Sequence, residues 1–241
     1  MKLSNGDGRV SPLHDIGFDA PLKRGVLVVA GLHHASQSAA TAGNLIRFAG
    51  DWQPDRIIAL APQYGWCGPA TTSCGNFAAF LNSLARTHEH PVVIQTNSLP
   101  PPGTEALTWS DPCAAAIRHN NAVLHTGILL VAPGWYSICA NDGPRPGYPG
   151  ALAIGLARAL RASVICGGTL MPGVVGESSG TATNERTLWG VEVGTAGAAF
   201  MPAPATEYGF MILEPDGQGA APTTVPIGRD GSFTACGVTY R

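Results

Sequence analysis

Charge is what this sequence has least of. Lys, Arg, Asp and Glu make up 12% of its 241 residues, about half the usual share. With 14 basic against 16 acidic residues there is no positive surplus to neutralise phosphates, so nucleic acid is not an expected partner and a membrane surface is equally unsupported. The opening stretch, MKLSNGDGRVSPLHDIGFDAPLKR, lacks the apolar core of a secretory signal, and no apolar run reaches membrane-spanning length. The protein is therefore expected in the cytoplasm, or exported by a route that needs no signal peptide. Zinc signatures are missing as well: there is no C-x-x-C and no H-E-x-x-H, so neither a metal nor another cofactor is expected. The six cysteines lack the density and spacing of a secreted disulfide framework. A Cys67–Cys74 bridge closing a Gly/Pro loop stays open.

Gly (31) and Pro (20) are abundant instead, interleaved with near-continuous apolar runs. Such a composition describes a packed core carrying long, weakly charged loops. The organising stretch runs from Gly25 to Gly65. An apolar run at Val26–Ala30 ends on Gly31 and leads through paired histidines to an amphipathic segment, which Ser36 or Ser38 can cap, and then to a second apolar run at Ile57–Ala61. Strands apolar at every position belong in a parallel sheet covered on both faces. NFAAFLNSLART reads as a helix capped by Asn76, HPVVIQTN as a third strand, Asp111-Pro112 as the start of a short helix, GILLVAPGW from Gly127 as a fourth strand, ALAIGLARALRA as a helix and ASVICGG as a fifth strand.

After Met171 the alternation stops. GVVGESSGTAT is neither a phosphate loop nor a nucleophile elbow and reads as loop. LWGVEV is a strand candidate, Phe210–Leu213 suits a sixth strand near the sheet edge, and SFTACGVTY suits a hairpin. The expected fold is α/β: three layers, α/β/α, around a mostly parallel sheet of about six strands, with a Gly/Pro-rich C-terminal β extension. Residues 1–24 would be an extended lead-in, 25–215 a single α/β domain, and 216–241 an extension packed on it.

Ligands in open parallel sheets sit beyond the C-terminal strand ends, which places several reactive residue types together. His33 and His34 follow the first strand; neighbours on an extended chain point apart, so one of the two faces such a site. Cys67 follows the second strand, and a thiol beside a histidine becomes a thiolate nucleophile. Cys74 would lie just before a helix N-terminus, where the dipole favours the thiolate. Cys139 follows the fourth strand, with Asp142 nearby to orient a histidine. The bland readings are that the histidines satisfy loop backbone and that the cysteines are inert or bridged. Cys166 reads as core, His125 as lying at the opposite sheet edge, and His88 and His90 as exposed.

The order strand–His, helix, strand–Cys loop, helix, strand resembles the caspase-like cysteine peptidases, including those found in bacterial toxins. WQPDRIIALAPQYG followed by NFAAFLNSLARTHEHPVVIQTN is similar to their cysteine-bearing segment. That resemblance implies a hydrolase, a peptidase acting on a protein or peptide substrate as a bacterial effector or toxin. His34 would be the base with His33 as its substitute, Cys67 the nucleophile with Cys139 and Cys74 as rivals, and backbone N–H groups such as that of Gly68 would stabilise the oxyanion. Gln63 ahead of Cys67-Gly68-Pro69-Ala70 also resembles the papain-like peptidases of the bacteriocin-processing kind, in which glutamine donates to the oxyanion. Two further readings stand beside these. One is a non-catalytic α/β module whose neutral loops bind another protein; the other is a metal-dependent amidase using His33 or His34.

Overall fold

The structure of the protein, a computed structural model, describes residues 2–4, 10–12, 21–30, 39–60, 72–88, 92–96, 122–139, 148–169, 171–180, 186–196, 208–216 and 219–241. It is a mixed α/β fold built on two large sheets. The expected single six-stranded sheet divides, and four layers replace three.

Among the described residues the first sheet has eight strands. At its centre β3 (Val26–Ala30), β4 (Arg56–Leu60), β5 (Val92–Thr96) and β6 (Ala122–Thr126) run parallel, with Val28, Ile58, Val93 and Val123 in one register. On one side β12 (Gly209–Pro215) pairs antiparallel with β3, and β13 (Ala220–Pro226) closes that edge. On the other, β1 (Lys2–Ser4) pairs with β6 and β2 (Val10–Pro12) with β1, so this part of the lead-in joins the sheet. Phe210–Leu213 is thus a strand one place in from the edge. Entry into β3 is fixed by Asp55, whose Oδ2 accepts the backbone N–H groups of Lys23, Arg24 and Gly25, each at 2.8 Å. Burial raises the Asp55 pKa, but these donors outweigh it and hold the carboxyl below its ordinary value.

Helices α1 (Ala39–Trp52) and α2 (Thr72–Arg86) cover one face of this sheet. Leu45, Phe48 and Ala49 of α1 and Phe80, Leu81 and Leu84 of α2 pack on Leu27, Val29, Ile57, Ala59 and Ile94. Thr72 opens α2 ahead of the expected cap at Asn76, which places Cys74 inside the first turn rather than before it. The hairpin of β14 (Phe233–Ala235) and β15 (Val238–Tyr240) seals the same core beside α1.

Among the described residues the second sheet has five strands in the order β10 (Gly173–Ser179), β11 (Arg186–Glu192), β9 (Ser163–Gly167), β8 (Trp135–Cys139), β7 (Leu129–Ala132). Its inner face meets the first sheet: Val28, Ile58, Leu60 and Val93 pack against Leu129, Val131, Trp135, Ile165 and Val191. Helix α3 (Ala151–Leu160) covers its outer face through Ala153, Ile154 and Ala157. The segment expected as a fourth parallel strand, GILLVAPGW, is instead β7, a turn and the first residue of β8, and YSIC, expected as loop, is the rest of β8. Ala132 pairs with Trp135 across Pro133-Gly134, and Gly134 has φ +76°, the combination a type II turn requires. GVVGESS, expected as loop, is β10 in antiparallel register with β11. Its alternate residues Val175 and Glu177 meet α3 through apolar packing and an ion pair with Arg158. The helix expected at Asp111-Pro112 lies outside the described residues.

Candidate functional site

The strands that run parallel in the two sheets finish at one rim. Ala196 N–H donates to the carbonyl of Ala30 at 2.8 Å, Cys139 Sγ donates to the carbonyl of Gln95 at 3.0 Å, and a Cβ on Gly167 would stand 2.6 Å from Leu60 Cβ. The C-terminal ends of β3, β4 and β5 thus face those of β11, β9 and β8. Glycine is needed at 167 because a side chain there would collide with Leu60 of the facing sheet. At the far end the buried Arg56 guanidinium donates to the Val131 carbonyl and ties the sheets a second time.

Across the first sheet the last rung reads Ala30, Leu60, Gln95, His125. The polar members of that rung bind the interior. Gln95, fully buried, donates to the carbonyls of Gly127 at 2.6 Å and Ser137 at 2.7 Å, while Ser137 Oγ donates back to Gln95 Oε1. A buried amide with this many partners locks the two sheets in register, since losing one partner would leave a desolvated polar group. The Cys139 thiol belongs to the same cluster and is 6% exposed. Cys166, its neighbour on β9, faces α3 and is buried; desolvation, then the nearby Glu192 carboxylate, pushes its pKa up to about 12. It stays a thiol, as expected of a core residue.

His125 was expected at the opposite edge and is instead on this rim, because AVLHT is itself a strand, β6, that ends there. Its Nε2 pairs with the Ile128 carbonyl at 3.1 Å, which makes that nitrogen the protonated one, and its buried Nδ1 has no partner among the described residues. Burial lowers its pKa; a second proton would place an unsatisfied cation in the core. Between this depressed value and about 6.5 the unfolded chain therefore binds more protons than the folded one, and stability rises with pH in that window. The urea midpoint of the wild type is expected to fall as pH drops from about 7 to 5. His125→Leu should show a shallower fall, isolating this residue from the other histidines; equal slopes would refute the assignment.

Of the residues that sequence pattern nominated for chemistry, Cys139 is placed by its side chain. Cys74 is placed as helix backbone in the first turn of α2. His33, His34, Gln63, Cys67, Gly68 and Asp142 lie outside the described residues. No group of three or more metal-ligating side chains occurs among the described residues. His88, expected in solvent, is half-buried with its ring bonded to the Pro54 carbonyl. Sequence reasoning missed the cluster of Gln95, Ser137 and His125; a glutamine closing the otherwise apolar VVIQT was its signal.

A second surface lies at β10, the outer strand of the smaller sheet among the described residues. Tyr148 is 53% and Val174 37% exposed. The backbone under them is fixed by close packing. A Cβ on Gly173 would stand 2.6 Å from Gly150 N, and one on Gly176 2.7 Å from the Trp189 ring. The buried Glu192 carboxylate accepts the Leu152 N–H at 2.9 Å at the start of α3 and so complements the helix dipole. Beside the edge, Arg158 binds Glu177 bidentately, Arg186 stands opposite Ser179, and Arg186 donates to the Arg161 carbonyl at 3.1 Å.

No protein-family model matches this chain, and no curated protein matches it. Solved structures do. A double mutant of Vps29 from Entamoeba histolytica is 15% identical with a TM-score of 0.46, covering 86% of this chain and 94% of that one. Chaetomium thermophilum Vps29 complexed with a RaPID-derived cyclic peptide is 13% identical with a TM-score of 0.45, covering 89% and 95%. The same fungal protein alone gives a TM-score of 0.39 at 13% identity, covering 85% and 92%. These similar structures are Vps29, not caspase-like peptidases. The fold itself divides into two facing sheets in place of the single parallel sheet that the caspase-like resemblance implies, and that resemblance is set aside together with the reading of a cysteine protease, hydrolase, toxin or effector.

Proposed function

We propose that this chain is a non-catalytic module that binds a protein or peptide, and that its binding face is the edge of the smaller sheet formed by β10 and the start of α3. The observation that carries this reading is the exposure of Tyr148 and Val174 on backbone that Gly173, Gly176 and Glu192 hold in place. Amphipathic aromatic side chains on a preordered surface lose little freedom on binding, which is how interface anchors gain affinity. The low charge of the chain disfavours phosphate-rich partners.

The test is a selection of random linear peptides by mRNA display against the intact protein. Enriched peptides are expected to bind with Kd near the micromolar range and to lose about tenfold on Tyr148→Ala, with unchanged thermal stability. A selection that enriches nothing above the blank support would contradict the reading.

A further inference from the structure

Three of the four outer strands of the two sheets carry features that discourage pairing with another chain. Strand β13 contains Pro222 and ends at Pro226. Strand β7 is four residues long, and its Val131 carbonyl is occupied by Arg56. Strand β2 is three residues long. Short edges, proline and occupied carbonyls are the ordinary protections against edge-to-edge association. The fourth outer strand, β10, has none of these. It runs seven residues without proline, pairs with β11 along its whole length, and has no strand on its other side among the described residues.

We infer that the β10 edge accepts an extended segment of a partner protein as a sixth strand of the smaller sheet, and that the segment carries an apolar residue at one end and acidic residues at the other. This deepens the proposed function and rests on it. The side of β10 turned away from β11 carries alternating N–H and C=O groups at strand spacing, with which another extended backbone pairs. Side chains along the edge set the partner's chemistry. At the Gly173 end stand Val174 and Tyr148, both exposed. Toward the Ser179 end stand the exposed Arg186, opposite Ser179 and bonded to the Arg161 carbonyl, and the exposed Arg158, paired with Glu177. Val174 and Ser179 are five residues apart, about 17 Å along a strand, so the apolar and acidic positions of the partner segment share that spacing. The same two arginines disfavour a second copy of this chain as the occupant, since each copy would bring both guanidiniums to the shared edge.

The test uses the display-selected peptides and three measurements. Fluorescence anisotropy is expected to show affinity reduced about tenfold or more by Val174→Lys and falling with added salt. Both substituted and parent proteins should melt at the same temperature, because position 174 is exposed. N-methylation walked along the peptide should weaken binding at every second residue, the signature of a paired strand. Amide hydrogen exchange should show protection at Gly173–Ser179 on binding. Peptides that bind but ignore Val174→Lys, or show no period of two, would overturn this inference and leave the binding reading standing. Failure to enrich any peptide would overturn both. A dimer in sedimentation equilibrium that Val174→Lys dissociates would give the edge to a second copy and overturn the inference as stated.

Discussion

Phe48→Ala is expected to destabilise the protein by about 3–5 kcal/mol, the range for emptying an aromatic site in a packed core. Phe48 is fully buried and is the residue on which one end of the molecule converges. Its ring lies 5.3 Å from Trp52 in a stacked pair, 5.5 Å from Phe210, 5.9 Å from Phe233 and 5.5 Å from Tyr240, the last two edge-on. Helix α1, strand β12 and the C-terminal hairpin thus share a single contact. Edge-to-face and offset pairs each add about 0.5–1.5 kcal/mol beyond burial, so removing the ring loses several at once. The cavity cannot close easily, because Phe210 and Phe233 are themselves in contact at 4.9 Å. Urea denaturation should show a lower midpoint with an unchanged slope. A loss below about 1 kcal/mol would mean that the hairpin does not seal this core.

Gly190→Ala should cost about 3 kcal/mol, a large effect for one methyl group. Gly190 lies in β11 directly beneath α3, where an added Cβ would overlap the backbone of Ile154 and stand 2.6 Å from the Ala153 carbonyl carbon. The neighbours are helix backbone rather than movable side chains, so the whole helix must lift. Lifting α3 opens its contacts with Val164 and Cys166 and pulls Leu152 from Glu192. Gly155→Ala serves as the control, since a Cβ there meets nothing within 4 Å and alanine favours the helix by about 1 kcal/mol. The two substitutions should therefore shift the melting temperature in opposite directions. Equal shifts would contradict the close seating of α3 on β11.

Much of the first sheet was legible in local pattern. The runs Val26–Ala30, Ile57–Ala61 and HPVVIQTN read as parallel strands and are observed as Val26–Ala30, Arg56–Leu60 and Val92–Thr96, and the spacing of Phe80, Leu81 and Leu84 marked α2. The second sheet was not, for a physical reason. Strands buried on both faces look alike whichever sheet they join, so GILLVAPGW and ASVICGG read as further strands of the first, and YSIC, most of β8, read as loop. The turn at Pro133-Gly134 lay inside a run taken as continuous strand, although proline followed by glycine is a turn signal. GVVGESS gained its strand identity from non-local partners: β11 on one side and α3 above Val175. The candidate site suffered from the same gap. A single parallel sheet made one edge out of strand ends, whereas the real rim is formed by two facing sheets, and its polar residues bridge them. The exposed β10 edge could not be foreseen once its sequence was read as loop.

The claim that this chain binds and does not cleave is tested most directly by mixing the protein with an equimolar display-selected peptide and following both by intact mass spectrometry over a day. The account predicts that the peptide keeps its full mass, that the protein gains no covalent adduct, and that native spectra show a noncovalent complex. Peptide fragments, or a protein mass increased by an acyl fragment of the peptide, would contradict it.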